Sequence, residues 1–209
     1  MVKMESFWHD LLEHFQIDPD AMEGVKAEAD NAVREISSRV GQRNFWQVSQ
    51  DELRFIYTVS SLLRPEIVVE TGVGPGTTSS AFLQAIHNHG GRLYSFDLGV
   101  GYGEEKEKMP VGFTVPDELR SNWALTLGDS KKTLPDKLRE IGKVNIFFHD
   151  SEHTYEHVTF ELNTVKPYLT GKWLIIIDNY DWTEAPGDFA DKNGLTLLKV
   201  VDDLCFIHS

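Results

Sequence analysis

Acids stand at the ends of four apolar runs in this chain, each followed by a turn or a polar segment. Ile67-Val68-Val69 leads to Glu70 and Leu93-Tyr94-Ser95-Phe96 to Asp97. Ile146-Phe147-Phe148-His149 leads to Asp150, and Ile175-Ile176-Ile177 to Asp178 and Asn179. Carboxylates brought to one sheet edge can hold sugar hydroxyls, bind a hard cation or move a proton. Directly after Glu70 runs Thr71-Gly72-Val73-Gly74-Pro75-Gly76-Thr77-Thr78-Ser79. A β-branched run, a glycine turn and a helical pattern (Ala81, Phe82, Ala85, Ile86) form the nucleotide-gripping corner of a doubly wound α/β sheet. A dinucleotide fingerprint has its third glycine one residue later. Glu70 would repel a pyrophosphate, and no Lys or Arg lies between Arg64 and Arg92 to offset it. A cationic ligand suits the corner better. A glycine turn required only for packing, or for another nucleotide, is the alternative reading. Asp97 lies about 20 residues past the loop, where such sheets place the acid that holds ribose hydroxyls; otherwise it is a solvated strand end.

The elements that must position these residues follow the hydrophobic pattern. Residues 4–15 put Phe7, Trp8, Leu11, Leu12 and Phe15 on one helical face. Asp18-Pro19 starts a second helix carrying Met22, Val25, Ala29, Ala32, Val33, Ile36 and Val40, which Gly41 ends. These two helices offer a packing arm, a homodimer surface or a wall for the substrate pocket. A connector with Phe45 and Trp46 leads to Ser49-Gln50-Asp51-Glu52, which has the capping-box form, and to a third helix stopped at Arg64-Pro65. Arg92–Asp97 is the second strand. Residues 98–120 form a long insert with alternate glycines at Gly99, Gly101 and Gly103 and a charge run at 104–108. A loop of that length is functional or disordered, and this one is a lid or a solvated segment. Trp123–Leu127 is the third strand, and Gly128-Asp129-Ser130 opens a helix, for which Asp129 or Ser130 would serve as N-cap. After the fourth strand, Val144–Asp150, a helix places Tyr155, Val158, Leu162, Val165 and Leu169 on one face, and Thr170-Gly171 closes it. Trp173–Asn179 is the fifth strand. Residues 180–194 are turn-rich with room for a short helix. Leu195–Val201 and Leu204–His208 form a closing hairpin about Asp202-Asp203.

Composition sets the outer bounds. The 209 residues suit one domain with a sizeable core, and the formal net charge is −13 with a pI near 5.0. That balance argues against a nucleic-acid partner, which needs clustered Lys and Arg, and leaves a small-molecule substrate open. One cysteine, Cys205, excludes an internal disulfide and fits a reducing compartment. No apolar stretch reaches membrane-spanning length and the N-terminus lacks a signal-peptide core. The expectation is a cytoplasmic protein without a membrane partner.

The loop Glu70-x-Gly72-x-Gly74-x-Gly76 resembles the acidic glycine motif of class I S-adenosylmethionine-dependent methyltransferases, whose cofactor carries a sulfonium, an ammonium and no phosphate. The order of motifs extends the resemblance over about residues 50–209, leaving 1–48 as an N-terminal helical arm and 49–209 as the methyltransferase domain. The run Phe147–Glu156 is similar to the small-molecule branch that includes macrocin-type O-methyltransferases and cephalosporin-hydroxylase-like proteins. The resemblance implies a Rossmann-like, seven-stranded, mostly parallel sheet with an antiparallel terminal hairpin. It implies cofactor contacts from Glu70, Gly72, Gly74, Gly76 and Asp97, with Asp129 and Ser130 beside the adenine. It also implies a divalent cation such as Mg2+ held by Asp150, Asp178 and Asn179, by analogy with catechol-type enzymes. Those enzymes place a lysine base three residues after the strand-four aspartate. Here that position is His153, so the catalytic pair expected is His153 with Asp150. The reaction implied is methyl transfer to an oxygen of a small-molecule acceptor. A hydroxylase-like oxygenase on the same fold and a non-catalytic cofactor-binding protein are the other readings, since fold does not fix function.

Overall fold

The computed structural model describes residues 5–42, 47–100 and 109–208. Phe45 and Trp46 of the connector, and residues 101–108 of the insert, lie outside the described residues. Helix α1 (Glu5–Phe15) leads to α2 (Pro19–Val40), which begins as its sequence requires: Asp18 Oδ1 accepts from Asp20 N at 3.0 Å and Pro19 fills the first turn. Helix α3 (Gln50–Leu63) carries the complete capping box. Ser49 Oγ accepts from Glu52 N at 3.2 Å, and Glu52 Oε2 accepts from Ser49 N at 2.6 Å.

Strands β1 (Ile67–Thr71), β2 (Arg92–Asp97), β3 (Trp123–Leu127), β4 (Val144–His149), β5 (Leu169–Ile177), β6 (Thr196–Lys199) and β7 (Cys205–His208) form one sheet in the order β3-β2-β1-β4-β5-β7-β6. The first five are parallel, and β7 runs antiparallel to both β5 and β6. Helices α4 (Thr77–Ile86), α5 (Ser130–Ile141) and α6 (Tyr155–Val165) connect the parallel strands, and α7 (Ala185–Asn193) precedes the hairpin. The seven-stranded, doubly wound architecture is the one expected. Its strand order turns back between β1 and β4, and ligands bind such sheets outside the carboxyl ends at that point.

Each central strand is buried on both faces, so alternate residues feed two apolar layers. Val68, Ile146, Phe148, Leu174, Ile176 and Phe206 join α1–α4 in one cluster. Val69, Phe147, Ile175, Ile177 and Ile207 join α5–α7 in the other. The N-terminal helices share the first cluster with the sheet: Phe7 and Trp8 pack on Phe55, which stacks on Phe206 at 5.9 Å. Arg54 pairs with Asp30 at 2.7 Å across α3 and α2.

Two expectations are corrected. Helix α6 ends at Val165, before a short turn containing Pro167, rather than at Thr170-Gly171. Thr170 and Gly171 lie inside β5, where the register jumps from Val144↔Leu169 to Ile146↔Leu174. The glycine, at φ 65°, marks a bulge and not a helix end. Tyr155 also leaves the apolar face of α6: it is exposed, and its hydroxyl reaches Asp188 Oδ2 at 2.9 Å.

Candidate functional site

The glycine turn between β1 and α4 is clasped from β2. Asp97 Oδ2 accepts from Val73 N at 2.9 Å and Gly74 N at 3.1 Å, while Oδ1 accepts from Gly99 N at 2.8 Å. A carboxylate that accepts from two backbone donors of the turn fixes the loop to β2, and its third donor orders the chain just after β2. Gly72 has φ 81°, and a Cβ there would lie 1.7 Å from the Asp150 carbonyl oxygen. A Cβ on Gly76 would meet Gly112 Cα at 2.7 Å, whereas one on Gly74 would meet nothing within 4 Å. Thus Gly72 and Gly76 permit close backbone packing, and Gly74 borders open space. The described end of the insert buttresses the loop: Gly112 N donates to Gly74 O at 3.0 Å and Thr114 N to Pro75 O at 3.0 Å.

Glu70 stands elsewhere than expected. It is fully buried and does not line the cavity. Thr78 and Ser79 at the start of α4, and Ser95 on β2, each donate a hydroxyl to it at 2.6 Å. Burial pushes its carboxyl up to about 7 despite these three donors. The reason is the pleat. Glu70 points to the same side as Val68, under α4, so it ties the glycine turn down from behind.

A cavity of about 980 Å³ runs along the carboxyl ends of β1, β2, β4 and β5. Gly72, Gly74, Asp97, Asp129 and Ser130 border one part of it, and Asp150, His153, Asp178 and Asn179 another. Gly76 does not line it, and neither does any residue of α1 or α2. Asp129 is the N-cap of α5, accepting from Lys131 N at 2.9 Å. Trp182 stands exposed at the rim with its ring 5.3 Å from that of His153.

The β4 and β5 ends converge as the strand order demands. Asp178 N donates to His149 O at 3.0 Å, and Asp150, His153 and Asp178 offer ligand atoms within 4.8 Å of one another. Burial first, then repulsion from Asp178, drives the Asp150 carboxyl well above the usual carboxylate range. Burial raises Asp178 to about 6. His153 Nε2 lies 3.7 Å from Asp150 Oδ1, and burial, then the nearby His149, lowers His153 to about 4. It is therefore neutral near pH 7. Asn179, at φ 50°, donates Nδ2 to Asp178 Oδ2 at 3.0 Å and to Asp203 Oδ2 at 2.9 Å.

One residue that sequence reasoning missed organises the floor of this site. Glu161 of α6 is fully buried. Its Oε1 accepts from Ser130 Oγ at 2.6 Å and Ser151 Oγ at 3.1 Å and pairs with His157 Nε2 at 2.8 Å. Its Oε2 accepts from Thr71 Oγ1 at 2.6 Å and pairs with His149 Nδ1 at 2.8 Å. Burial alone would raise this carboxyl. Hydrogen bonds from His149, His157 and Ser130 overcome it and hold the group well below the ordinary range. The available signal was an acid among Val158, Leu162 and Val165 on the apolar face of α6, four residues after His157.

A doubly wound sheet with a clasped glycine turn and a cavity at its switch point is the arrangement in which α/β domains bind their ligands. A family model described as a methyltransferase domain matches residues 69–180, more than half of the chain, and the chain belongs to that family. No curated protein matches it significantly in sequence. Among solved structures, a methyltransferase from Geobacter sulfurreducens superposes with a TM-score of 0.64 at 18% identity, over 85% of this chain and 88% of that one. The cofactor-bound protein Rv0187 from MTB gives 0.60 at 12% identity, over 87% and 89%. The SAH-bound Podospora anserina methyltransferase PaMTH1 gives 0.59 at 14%, over 92% and 96%. These likenesses are of fold.

Proposed function

We propose that this protein transfers a methyl group from S-adenosylmethionine to an oxygen of a small-molecule acceptor, assisted by a divalent cation. The observation that carries the reading is one cavity with the clasped glycine turn in one part and the Asp150–His153–Asp178 group in the other. The residues fit the cofactor. Gly74 borders open space, so a ligand can approach its backbone, and Asp97 and Asp129 line the same wall. In this reading Asp97 fixes the loop and meets the ribose, and Asp129 and Ser130 face the adenine. Bound there, S-adenosylmethionine supplies a methyl group already activated by its sulfonium. Two carboxylates and the Asn179 amide supply the oxygen donors that a magnesium-like ion requires, and such an ion would make a substrate hydroxyl more acidic. His153 is neutral near pH 7, so its ring can accept the hydroxyl proton, and a cation that acidifies the hydroxyl would offset the low basicity that burial gives the ring. The acidic wall and the net charge of −13 disfavour a polyanionic acceptor.

Calorimetry with S-adenosylmethionine and its demethylated product tests the cofactor. Binding is expected, and Asp97→Ala should weaken it by about 1–3 kcal/mol. Detectable NAD binding with none for these ligands would overturn the assignment. Chelator should abolish methyl transfer and Mg2+ restore it. Full turnover in excess chelator would remove the metal from the reading.

A further inference from the structure

Behind the Asp150–His153–Asp178 group lies a second set of acids that the reading above does not use. Glu52 comes from the first turn of α3, Asp178 from the end of β5, and Asp203 from the turn between β6 and β7. Each offers a carboxylate oxygen, and these oxygens lie within 4.8 Å of one another. Three elements distant in sequence thus deliver three carboxylates to one point.

A separate observation shows that the point is incomplete. Glu52 is 2% exposed. Its Oε2 is occupied by the capping box, but its Oε1 is buried without a hydrogen-bond partner. The capping box accounts for one oxygen and leaves the other facing acids. An unmet buried carboxylate oxygen is unfavourable unless a proton or a cation meets it. The groups gathered about it are Asp178 and Asp203, both carboxylates. Asn179 holds those two at a fixed spacing by donating to Oδ2 of each.

We propose that Glu52, Asp178 and Asp203 bind a divalent cation of the hard, oxygen-preferring class. This site is distinct from the one at Asp150 and shares only Asp178 with it. Three carboxylates from three elements, completed by water, match the ligand chemistry of Mg2+ or Mn2+. The ion staples the start of α3 to the end of β5. Gln47 and Val48, just before the α3 cap, line the cavity, so the same ion fixes that wall.

The test is Mn2+ uptake by the full chain after chelator stripping, counted by metal analysis at saturation. The variants are Glu52→Gln, Asp203→Asn and Asp150→Asn. Glutamine at the third helical position preserves the capping box, so Glu52→Gln should fold. Two equivalents are expected in the wild type, with one lost in Glu52→Gln, in Asp203→Asn and, separately, in Asp150→Asn. A wild type holding one equivalent that Glu52→Gln removes and Asp150→Asn keeps supports this site and refutes the metal in the proposed function. One equivalent that Asp150→Asn removes and Glu52→Gln keeps refutes this site and leaves that reading standing. No uptake at all refutes both. Asp203→Asn decides the matter if Glu52→Gln fails to fold.

Discussion

Replacing Glu161 by Gln removes one charge and changes one acceptor into a donor, with almost no change of volume. The least disruptive orientation puts the new amide nitrogen at the Oε2 position, where Thr71 and His149 now meet the carboxylate. Two hydrogen bonds to a buried charge are lost there, at about 1.5–3 kcal/mol each, or about 3–6 kcal/mol together. In a domain of this size 1 kcal/mol moves Tm by about 2–4 °C, so a fall of about 6–24 °C is expected. Total stabilities run to about 5–15 kcal/mol, so the variant should still fold at low temperature. The pH dependence has a definite sign. A carboxyl held low in the folded state contributes stability above its unfolded value near 4.5 and loses it as the pH falls through the folded value. The gap between wild type and Glu161→Gln should therefore be full at pH 7 and shrink below about 4.5. Calorimetric melting from pH 3.5 to 8 measures both quantities. A Tm within about 2 °C of wild type at pH 7 would refute the account of Glu161 as the organising acceptor.

Glu70, raised to about 7, has the opposite sign: the fold should lose stability as pH rises from about 4.5 to about 7. Glu70→Gln should flatten that slope in a melting series, and an unchanged slope would assign it to other groups. Gly72→Ala drives a Cβ into the Asp150 carbonyl and should abolish folding or cofactor binding. Gly74→Ala meets no atom and should lose only about 1–2 kcal/mol from its left-handed backbone. Equal effects of the two by chemical denaturation would contradict the loop geometry. His153→Ala should slow methyl transfer about 10²–10⁴-fold with cofactor affinity nearly intact. An active enzyme with an unaltered pH profile would remove His153 as the base.

Much of this architecture was legible because local signals and global fold agree. The capping box at Ser49-Glu52, the proline after Asp18 and the β-branched runs ending in acids each announced an element that the structure contains. The convergence of Asp150 with Asp178 followed from strand order. The direction of Glu70 was less visible, although the pleat encodes it: Val68 and Glu70 share one face, Val69 and Thr71 the other. Thr71 and His149 therefore point toward α6, where Glu161 waits, and Glu70 points under α4. Glu161 itself escaped because its partners sit on four separate segments, and only packing brings them to one carboxylate. Glu52 was visible as a cap, but its second oxygen acquires meaning only once β5 and the terminal hairpin have folded against α3. Gly171 misled because a glycine after a helical stripe is a common stop signal, and here it serves a bulge instead.

The clasp on the glycine turn also bears on how that turn exchanges with solvent. The Val73 and Gly74 amides are both spent on Asp97, and the insert closes over the same turn through Gly112 and Thr114. Loops that grip ligands usually belong to the least stable parts of a protein and open on their own. This one is locked by three chain segments that meet only in the folded domain. Its two amides should therefore exchange with deuterium as slowly as those of the central strands, opening only when the sheet itself comes apart. A ligand arriving at such a turn finds it already ordered and loses little conformational freedom on binding.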